Sequence, residues 1–253
     1  MALPNKSWDR RCARGRRSSS TGFFTSVSEA RMSYAFDFHS ITQNLGPLLE
    51  GLVTTIELTL AANVVGLTLG FLIAMLTLSR WKALRLPATL FVEFFRCTPA
   101  IVQVIWIFYC VPILFDVYFD AVAMGILALG LNLAAFNAEA YRAAIQAVPR
   151  EQLDAGVALG LNPLQRVLYI VLPSAVRTSV PVLITNGIGT FQQSALVALV
   201  AVQELMYVGK SLATESYRPI ETFTVVALVY FAVSFPVSQL VEYFERRRGA
   251  AGI

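Results

Sequence analysis

The feature that most limits how this chain can fold is a series of long apolar stretches. The first, Leu52–Leu78, runs for twenty-seven residues with Glu57 as its single charged side chain. As a helix it would be about 40 Å long, more than the roughly 30 Å hydrocarbon core of a membrane. Further apolar stretches follow at about 86–115, 121–141, 179–202 and 222–241. We therefore predict an all-α integral membrane protein with five transmembrane helices.

The composition excludes several other classes of protein. With 56% hydrophobic and 14% charged residues and a mean hydropathy of +0.62, the chain is far from a soluble globule. His39 is the only histidine, and Cys12, Cys97 and Cys110 are widely spaced, so neither a metal site nor a Ser-His triad is expected. The glycine-rich loop that cradles ATP phosphates is also missing. We expect no enzyme activity and no cofactor bound by this chain.

Breaks within the apolar stretches predict irregular spans. Glu93, Arg96 and Pro99 interrupt the second stretch, which indicates a short lead-in helix followed by a span from about Thr98. The fourth span contains a proline and several glycines and amides, so protein or a cavity should cover it. In the first span, Gly66-x-x-x-Gly70 would let another helix approach closely.

The segment Glu139–Pro173, between the third and fourth spans, predicts two short helices joined at a sharp bend. The first would pass through Glu151 and stop at Gly160, in a left-handed cap conformation. Asn162 would cap the second helix, with Pro163 in its first position, and this helix would end at Pro173. A rigid helix–turn–helix exposed between membrane spans suits docking of a soluble partner.

Two patterns in the chain resemble those of bacterial ATP-binding-cassette (ABC) importer permeases of the polar amino acid branch. The first is Asp154-Ala155-Gly156, then three residues, Gly160, nine further residues, and Ile170-Val171-Leu172-Pro173. The family has Glu in place of Asp154 and Ala in place of Gly156. The second is the run from Glu93 to Pro99, which includes Phe95, Arg96 and Thr98. The resemblance covers about 45–248 and implies the type I importer permease fold.

The resemblance also implies partners and roles. Such a permease works with a second, identical or homologous permease, a dimer of ABC ATPases that bind ATP and Mg²⁺, an extracytoplasmic solute-binding protein and membrane lipid, without nucleic acid. The residues expected to couple this chain to the ATPase are Asp154, Ala155, Gly156, Gly160, Asn162, Pro163, Ile170, Leu172 and Pro173. The function implied is ATP-driven import of a polar amino acid or related solute across the bacterial inner membrane.

Polar residues within the spans are candidates for the solute path, since a hydrophilic solute needs groups that replace its water. Each could instead bond a neighbouring helix. These candidates are Glu57, Gln103, Asn132, Gln192, Gln193 and Ser194. Relatives often carry a lysine and an acidic residue where this chain has two glutamines, so their charge pair is not carried over.

Two sets of polar and charged residues each have two alternative interpretations. Glu93 and Arg96 lie three residues apart and form either an ion pair that anchors the helix entry at the interface or part of the path. Asn137, Glu139 and Arg142 either link the third span to the coupling loop or mark the membrane boundary.

The distribution of positive charge predicts the topology. With the N-terminus outside, the inner loops contain ten basic residues and the outer loops only Lys210 and Arg218. The inner residues are Arg80, Lys82, Arg85, Arg142, Arg150, Arg166, Arg177 and Arg246 to Arg248. The C-terminus would then lie inside.

The predicted organisation follows from this topology. Residues 1–31 form a basic disordered tail, or lie upstream of a true start at Met32, because their seven positive charges oppose the rule. Residues 32–50 form an outer segment, 51–248 the transmembrane domain with the coupling loop at 142–177, and 249–253 a tail. An ion-coupled secondary transporter is the alternative function, although no second repeat is visible. A membrane enzyme would need a catalytic cluster, which the sequence lacks.

Overall fold

The computed structural model describes residues 42–250, and this part of the chain is helical without strands. Nine α-helices follow one another, with a π-helical turn at Val167–Val171 and a 3-10 helix at Ser194–Val200. They are α1 Leu45–Thr77, α2 Lys82–Cys97, α3 Ala100–Phe115, α4 Ala121–Gln146, α5 Arg150–Ala158, α6 Pro163–Arg166, α7 Leu172–Gln193, α8 Leu205–Ser216 and α9 Pro219–Ala250. The all-α prediction is confirmed. The predicted tail at 1–31, Met32 and His39 lie outside the described residues.

Five membrane crossings are present if a bent pair of helices is one of them. Four helical stretches in the described residues are long and apolar enough to span: Leu45–Thr77, Ala121–Gln146, Pro163–Val200 and Pro219–Tyr243. Helices α2 and α3 together make the fifth, bent by 112°. Thr98 is extended at the bend because the ring of Pro99 disfavours a helical residue before it. This confirms the lead-in helix and the five spans.

Helix α4 lies at the centre of the fold. In the most apolar stretch of α4, 61% is buried within the protein, compared with 17% in the corresponding stretches of Pro163–Val200 and of Pro219–Tyr243. Close packing against α1 explains this burial: a Cβ at Gly66 would lie 2.5 Å from Leu133 Cγ, and one at Gly70 would lie 2.8 Å from Asn137 Cβ. The predicted role of these glycines, close helix approach, is therefore confirmed.

The first helix begins earlier than its apolar stretch predicts. Helix α1 starts at Leu45 rather than Leu52. Pro47 falls in its first turn, where a missing N–H is tolerated. Leu48 packs in a buried cluster with Leu205, Leu212 and Val226. Tertiary contacts therefore stabilise an extra pair of turns that hydropathy alone does not reveal.

The predicted helix end at Pro173 is wrong. The chain runs as one helical stretch from Pro163 to Val200, and Pro173 lies inside it. In a regular α-helix the proline ring would strike the carbonyl four residues earlier. Here a π turn precedes it, with the Leu172 N–H bonded to the Val167 carbonyl, and this wider turn accommodates the proline.

Candidate functional site

The bend between α5 and α6 has the geometry that its sequence predicts. Gly160 is left-handed, with φ 76°. Its N–H donates to the Val157 carbonyl at 2.9 Å, and the Leu161 N–H donates to the Gly156 carbonyl at 3.0 Å. These two bonds form a Schellman motif, which satisfies carbonyls left free at the end of α5. The prediction of a left-handed cap at Gly160 is confirmed.

The start of α6 is a reciprocal capping box. Asn162 Oδ1 accepts from the Gln165 N–H at 2.9 Å, and Gln165 Oε1 accepts from the Asn162 N–H at 2.9 Å. Pro163 opens the helix, where its missing N–H leaves nothing unsatisfied. The predicted cap is confirmed, and both sides of the bend are therefore fixed by local hydrogen bonds.

Gly156 allows α5 to lie against the π turn. It is buried, and a Cβ there would come within 2.6 Å of Ile170 Cδ1 and 3.3 Å of Arg166 Cγ. The glycine at this position thus permits a close approach between the two arms of the loop. We call residues 150–173, including both arms and the bend, the coupling knob.

Large apolar side chains are exposed on the coupling knob. The side chains of Leu159, Leu164 and Tyr169 are 79%, 67% and 70% exposed. Asp154, Ala155, Gly160, Asn162, Pro163, Leu172 and Pro173 are also exposed, whereas Ile170 is half-buried. We call Leu159, Leu164 and Tyr169 the apolar patch, and large exposed apolar side chains on one rigid element make it a candidate interaction site.

Two polar grooves flank one face of α7. A groove of about 140 Å³ lies towards α4, and one of about 410 Å³ lies towards α9. The first is lined by Asn132, Leu133, Phe136, Thr185, Asn186, Gly189, Thr190 and Gln193, and the second by Thr185, Ile188, Gly189, Gln192, Ser238, Val241 and Glu242. They share Thr185 and Gly189, and no atom lies within 4 Å of a Cβ built at Gly189. We call them the α7 grooves.

Three of the predicted path residues line the α7 grooves: Asn132, Gln192 and Gln193. The others lie elsewhere. Glu57 is exposed on α1, and the buried Ser194 Oγ donates to the Phe191 carbonyl at 2.7 Å.

Gln103 braces the bend between α2 and α3. Its Nε2 donates to the Phe95 carbonyl at 2.8 Å and to Thr98 Oγ1 at 2.6 Å. Its Oε1 accepts from Asn132 Nδ2 at 2.8 Å, which ties the bend to α4. Two residues of the second family pattern, Phe95 and Thr98, are thus held by a buried amide of the next helix.

Of the two interpretations of Glu93 and Arg96, the ion pair between them is not formed. The Arg96 guanidinium lies 3.9 Å from Glu139 Oε2 and over the Phe136 ring, 6.0 Å from its centroid. Glu139 also binds Arg142 through both of its carboxylate oxygens. Helix α4 therefore gives Arg96 two favourable contacts, a carboxylate and an aromatic face, whereas Glu93 could supply only a carboxylate. Glu93 Oε2 instead lies 3.8 Å from Cys97 Sγ.

Asn137 connects the two helices that carry the grooves. It is completely buried, and its Oδ1 accepts from Asn186 Nδ2 at 3.0 Å. Asn186 itself lines the smaller groove. Asn137 therefore holds α4 against α7 close to the charged cluster of Arg96, Glu139 and Arg142.

Sequence reasoning missed a buried carboxylate at the start of α8. Glu204 is 0% exposed and caps this helix, with Oε1 accepting from the Tyr207 N–H at 2.8 Å. Burial raises the pKa of Glu204 above its usual range, and hydrogen bonds from backbone N–H groups, Tyr230 and Thr55 oppose the rise. An acidic residue just before Leu205, Val208 and Leu212, which have helical spacing, was the signal available.

Comparison with known proteins identifies the family. A family model described as binding-protein-dependent transport system inner membrane component matches residues 66–249. The glutamate/aspartate import permease protein GltK of Escherichia coli O6:H1 is 31% identical over 221 residues, which cover 85% of this chain and 99% of that protein. The glutamine transport system permease protein GlnP of Escherichia coli K12 is 30% identical over 218 residues, covering 84% and 97%.

Solved structures agree with this assignment. The structure of an amino acid ABC transporter with histidines superposes with a TM-score of 0.79 at 31% identity, covering 84% of this chain and 99% of that one. A bacterial ABC transporter that imports the acidic polysaccharide alginate has the same fold at 15% identity, with a TM-score of 0.64 and coverage of 91% and 90%. The family model and the two permeases confirm the resemblance. The chain therefore belongs to the family of binding-protein-dependent transport system inner membrane components and is a permease subunit of an ABC importer.

Proposed function

We propose that this chain moves a polar amino acid or a related small solute across the bacterial cytoplasmic membrane, driven by a separate ATPase that docks on the coupling knob. The apolar patch on a rigid, capped bend carries this proposal, since it fits a groove in a soluble partner. The partner ATPase, as a dimer, binds ATP and Mg²⁺. Among the described residues no cluster of His, Cys, Asp or Glu suits a metal.

The mechanical path from the knob to the grooves is a single helical stretch. Pro163–Val200 starts at the bend and carries Gln192 and Gln193 near its far end. A helix of this length spans about 55 Å. A displacement of the knob by nucleotide-driven closure of the ATPases would therefore be passed to the groove without crossing a flexible loop. Ile170, Leu172 and Pro173 belong to this stretch, consistent with a coupling role for them.

The α7 grooves support a polar solute. Amide groups of Asn132, Gln192 and Gln193 and the hydroxyl of Thr185 offer donors and acceptors that replace the solute's water. Two relatives, a glutamate/aspartate import permease and a glutamine transport permease, support an amino acid as the solute. Glu57, Gln103 and Ser194 stay predictions as path residues, with Gln103 better explained as a brace.

The topology we propose has the N-terminus outside and the C-terminus inside, within a transmembrane domain at 51–248. The excess of Lys and Arg in the loops around Arg80, Arg150 and Arg246 supports it. The knob then faces the ATPase, and α8 faces the solute-binding protein. A second permease, identical or homologous, and lipid would cover the exposed apolar faces of α7 and α9.

A co-purification experiment tests the proposal. The natural assembly is extracted in mild detergent, and its subunits are identified by mass spectrometry. Leu159→Asp places a charge in the exposed knob patch and should abolish recovery of a P-loop ATPase. Tyr217→Asp, at an 89% exposed position following α8, is the matched control and should retain it. Recovery of the ATPase with both variants, or solute uptake that an ion gradient drives without an ATPase, would contradict the proposal.

A further inference from the structure

The buried carboxylate of Glu204 joins three helices at the end of the molecule opposite the coupling knob. Its Oε1 caps α8, while its Oε2 accepts from Tyr230 Oη of α9 at 2.8 Å and lies 3.4 Å from Thr55 Oγ1 of α1. A buried carboxylate is costly unless several donors satisfy it, and here it has them. The position of this group is thus fixed by α1, α8 and α9 together.

Helix α8 is seated tightly in the same place. Thr55 Oγ1 accepts from the Leu205 N–H at 3.0 Å. A Cβ at Gly51 would lie 3.1 Å from Leu205 Cα, and one at Gly209 would lie 2.5 Å from Val226 Cγ2. The backbone of α8 is thus in close contact with the backbone of α1 on one side and with a branched side chain of α9 on the other. Helix α8 cannot move without displacing α1 and α9 or breaking the Glu204 contacts.

Tyr230 extends the cluster to the end of α7. Its ring lies 5.3 Å from the ring of Phe191, centroid to centroid. Phe191 directly precedes Gln192 and Gln193, which line the α7 grooves. A displacement of α8 would therefore be passed towards these amides through two side chains, the buried Glu204 and the half-buried Tyr230.

The backbone between the grooves and Glu204 has two features of a hinge. Ser194–Val200 is a seven-residue 3-10 helix, longer than such helices usually run. It ends at Ala201, which holds a left-handed conformation with φ 61° although it is not glycine. Both features are disfavoured locally, so contacts such as those of Glu204 must maintain them.

We propose that Glu204 is a positioning residue of the transport cycle: through Tyr230 it couples the position of α8 to the conformation of residues 191–200, and hence to Gln192 and Gln193. The inference rests on the proposed function, in which the loaded solute-binding protein engages the face that carries α8. Engagement would shift α8, and the shift would reorganise the groove end of α7. The residue touches neither solute nor nucleotide.

Amide hydrogen exchange of the purified full chain in lipid nanodiscs tests, without any partner, whether Glu204 and Tyr230 maintain the conformation of residues 191–200. Glu204→Ala and Tyr230→Phe should each speed exchange of residues 191–200 about tenfold, since each removes a hydrogen bond to a buried charge. Leu212→Ala is the matched control. It shortens a buried apolar side chain of α8 that takes no part in the hydrogen bonds of Glu204, and it should leave exchange of residues 191–200 unchanged. Unchanged exchange at 191–200 in both variants would overturn the proposal.

ATP hydrolysis by the assembled transporter tests whether Glu204 couples engagement of the solute-binding protein to the transport cycle. Glu204→Ala should lower the ratio of receptor-stimulated to basal ATP hydrolysis about tenfold. Glu204→Gln should restore most of the ratio, because the amide oxygen still accepts from the Tyr207 N–H and the amide NH2 can donate to Tyr230 Oη. Leu212→Ala should leave the ratio unchanged at a comparable loss of thermal stability.

The outcomes separate the two proposals. An unchanged ratio in Glu204→Ala, or a Glu204→Gln variant as defective as Glu204→Ala, would overturn the positioning role. A wild-type assembly that the receptor does not stimulate would contradict the proposed function instead, while the exchange measurement would still decide whether Glu204 holds residues 191–200.

Discussion

Replacing Gly70 with alanine should separate the two helices at the centre of the fold. A Cβ at this position would lie 2.8 Å from Asn137 Cβ and 3.0 Å from the Ala134 carbonyl oxygen. Ordinary contacts begin near 3.4 Å. One of the obstacles is backbone, so α1 and α4 would have to move apart by about half an ångström.

The size of the effect follows from two opposing terms. Overpacking of a tight core costs about 1–3 kcal/mol. Replacing glycine with alanine inside a helix stabilises that helix by about 1 kcal/mol, because alanine has the higher helix propensity. Displacement of α4 also strains the 3.0 Å bond between Asn137 and Asn186, which ties α4 to α7. We expect a net loss of about 1–2 kcal/mol in the free energy of unfolding.

The assay is thermal or denaturant unfolding in one detergent, followed by tryptophan fluorescence. Gly46→Ala is the matched control, because no atom lies within 4 Å of a Cβ there and the residue is also in α1. It should be neutral or slightly stabilising. If Gly70→Ala proves as stable as Gly46→Ala, the close contact of α1 with α4 is not what limits this position.

Four further predictions concern the bend, its cap, the brace and the buried carboxylate. Gly160→Val forces a β-branched residue into a left-handed conformation, at about 1–2 kcal/mol, and should lower the solute moved per ATP hydrolysed, whereas Gly160→Asn should retain it. Asn162→Ala removes the cap and should destabilise the knob by about 1 kcal/mol, seen as faster proteolysis there, while Asn162→Asp should not. Gln103→Leu removes the shorter of two hydrogen bonds to the Phe95 carbonyl, leaving that from Asn132 Nδ2 at 3.5 Å, and should cost about 1–3 kcal/mol in unfolding free energy. Because burial raises the pKa of Glu204, the folded state binds the carboxyl proton more tightly than the unfolded state does. The unfolding free energy of wild type relative to Glu204→Gln should therefore fall as pH rises through that pKa. A difference in unfolding free energy that stays constant from pH 4 to 8 would contradict this.

The sequence by itself determined the spans and the bend, because the signals for both are local. Twenty or more apolar residues in a row have no stable alternative to a membrane helix. Pro99 breaks the second span, and Gly160 and Asn162 specify their caps through hydrogen bonds between residues within five positions of each other. Pro163 favours the start of the second helix through its fixed backbone angle. These signals do not depend on what the rest of the chain does.

Only the tertiary structure decided which polar groups meet. Arg96 binds Glu139 rather than Glu93, Gln103 bonds to the Phe95 carbonyl across a bend, and Glu204 is buried by partners 149 and 26 residues away. The same holds for Pro173, which a π turn keeps inside a helix. A polar side chain in a span takes the best partner within reach, and that partner depends on how the helices pack.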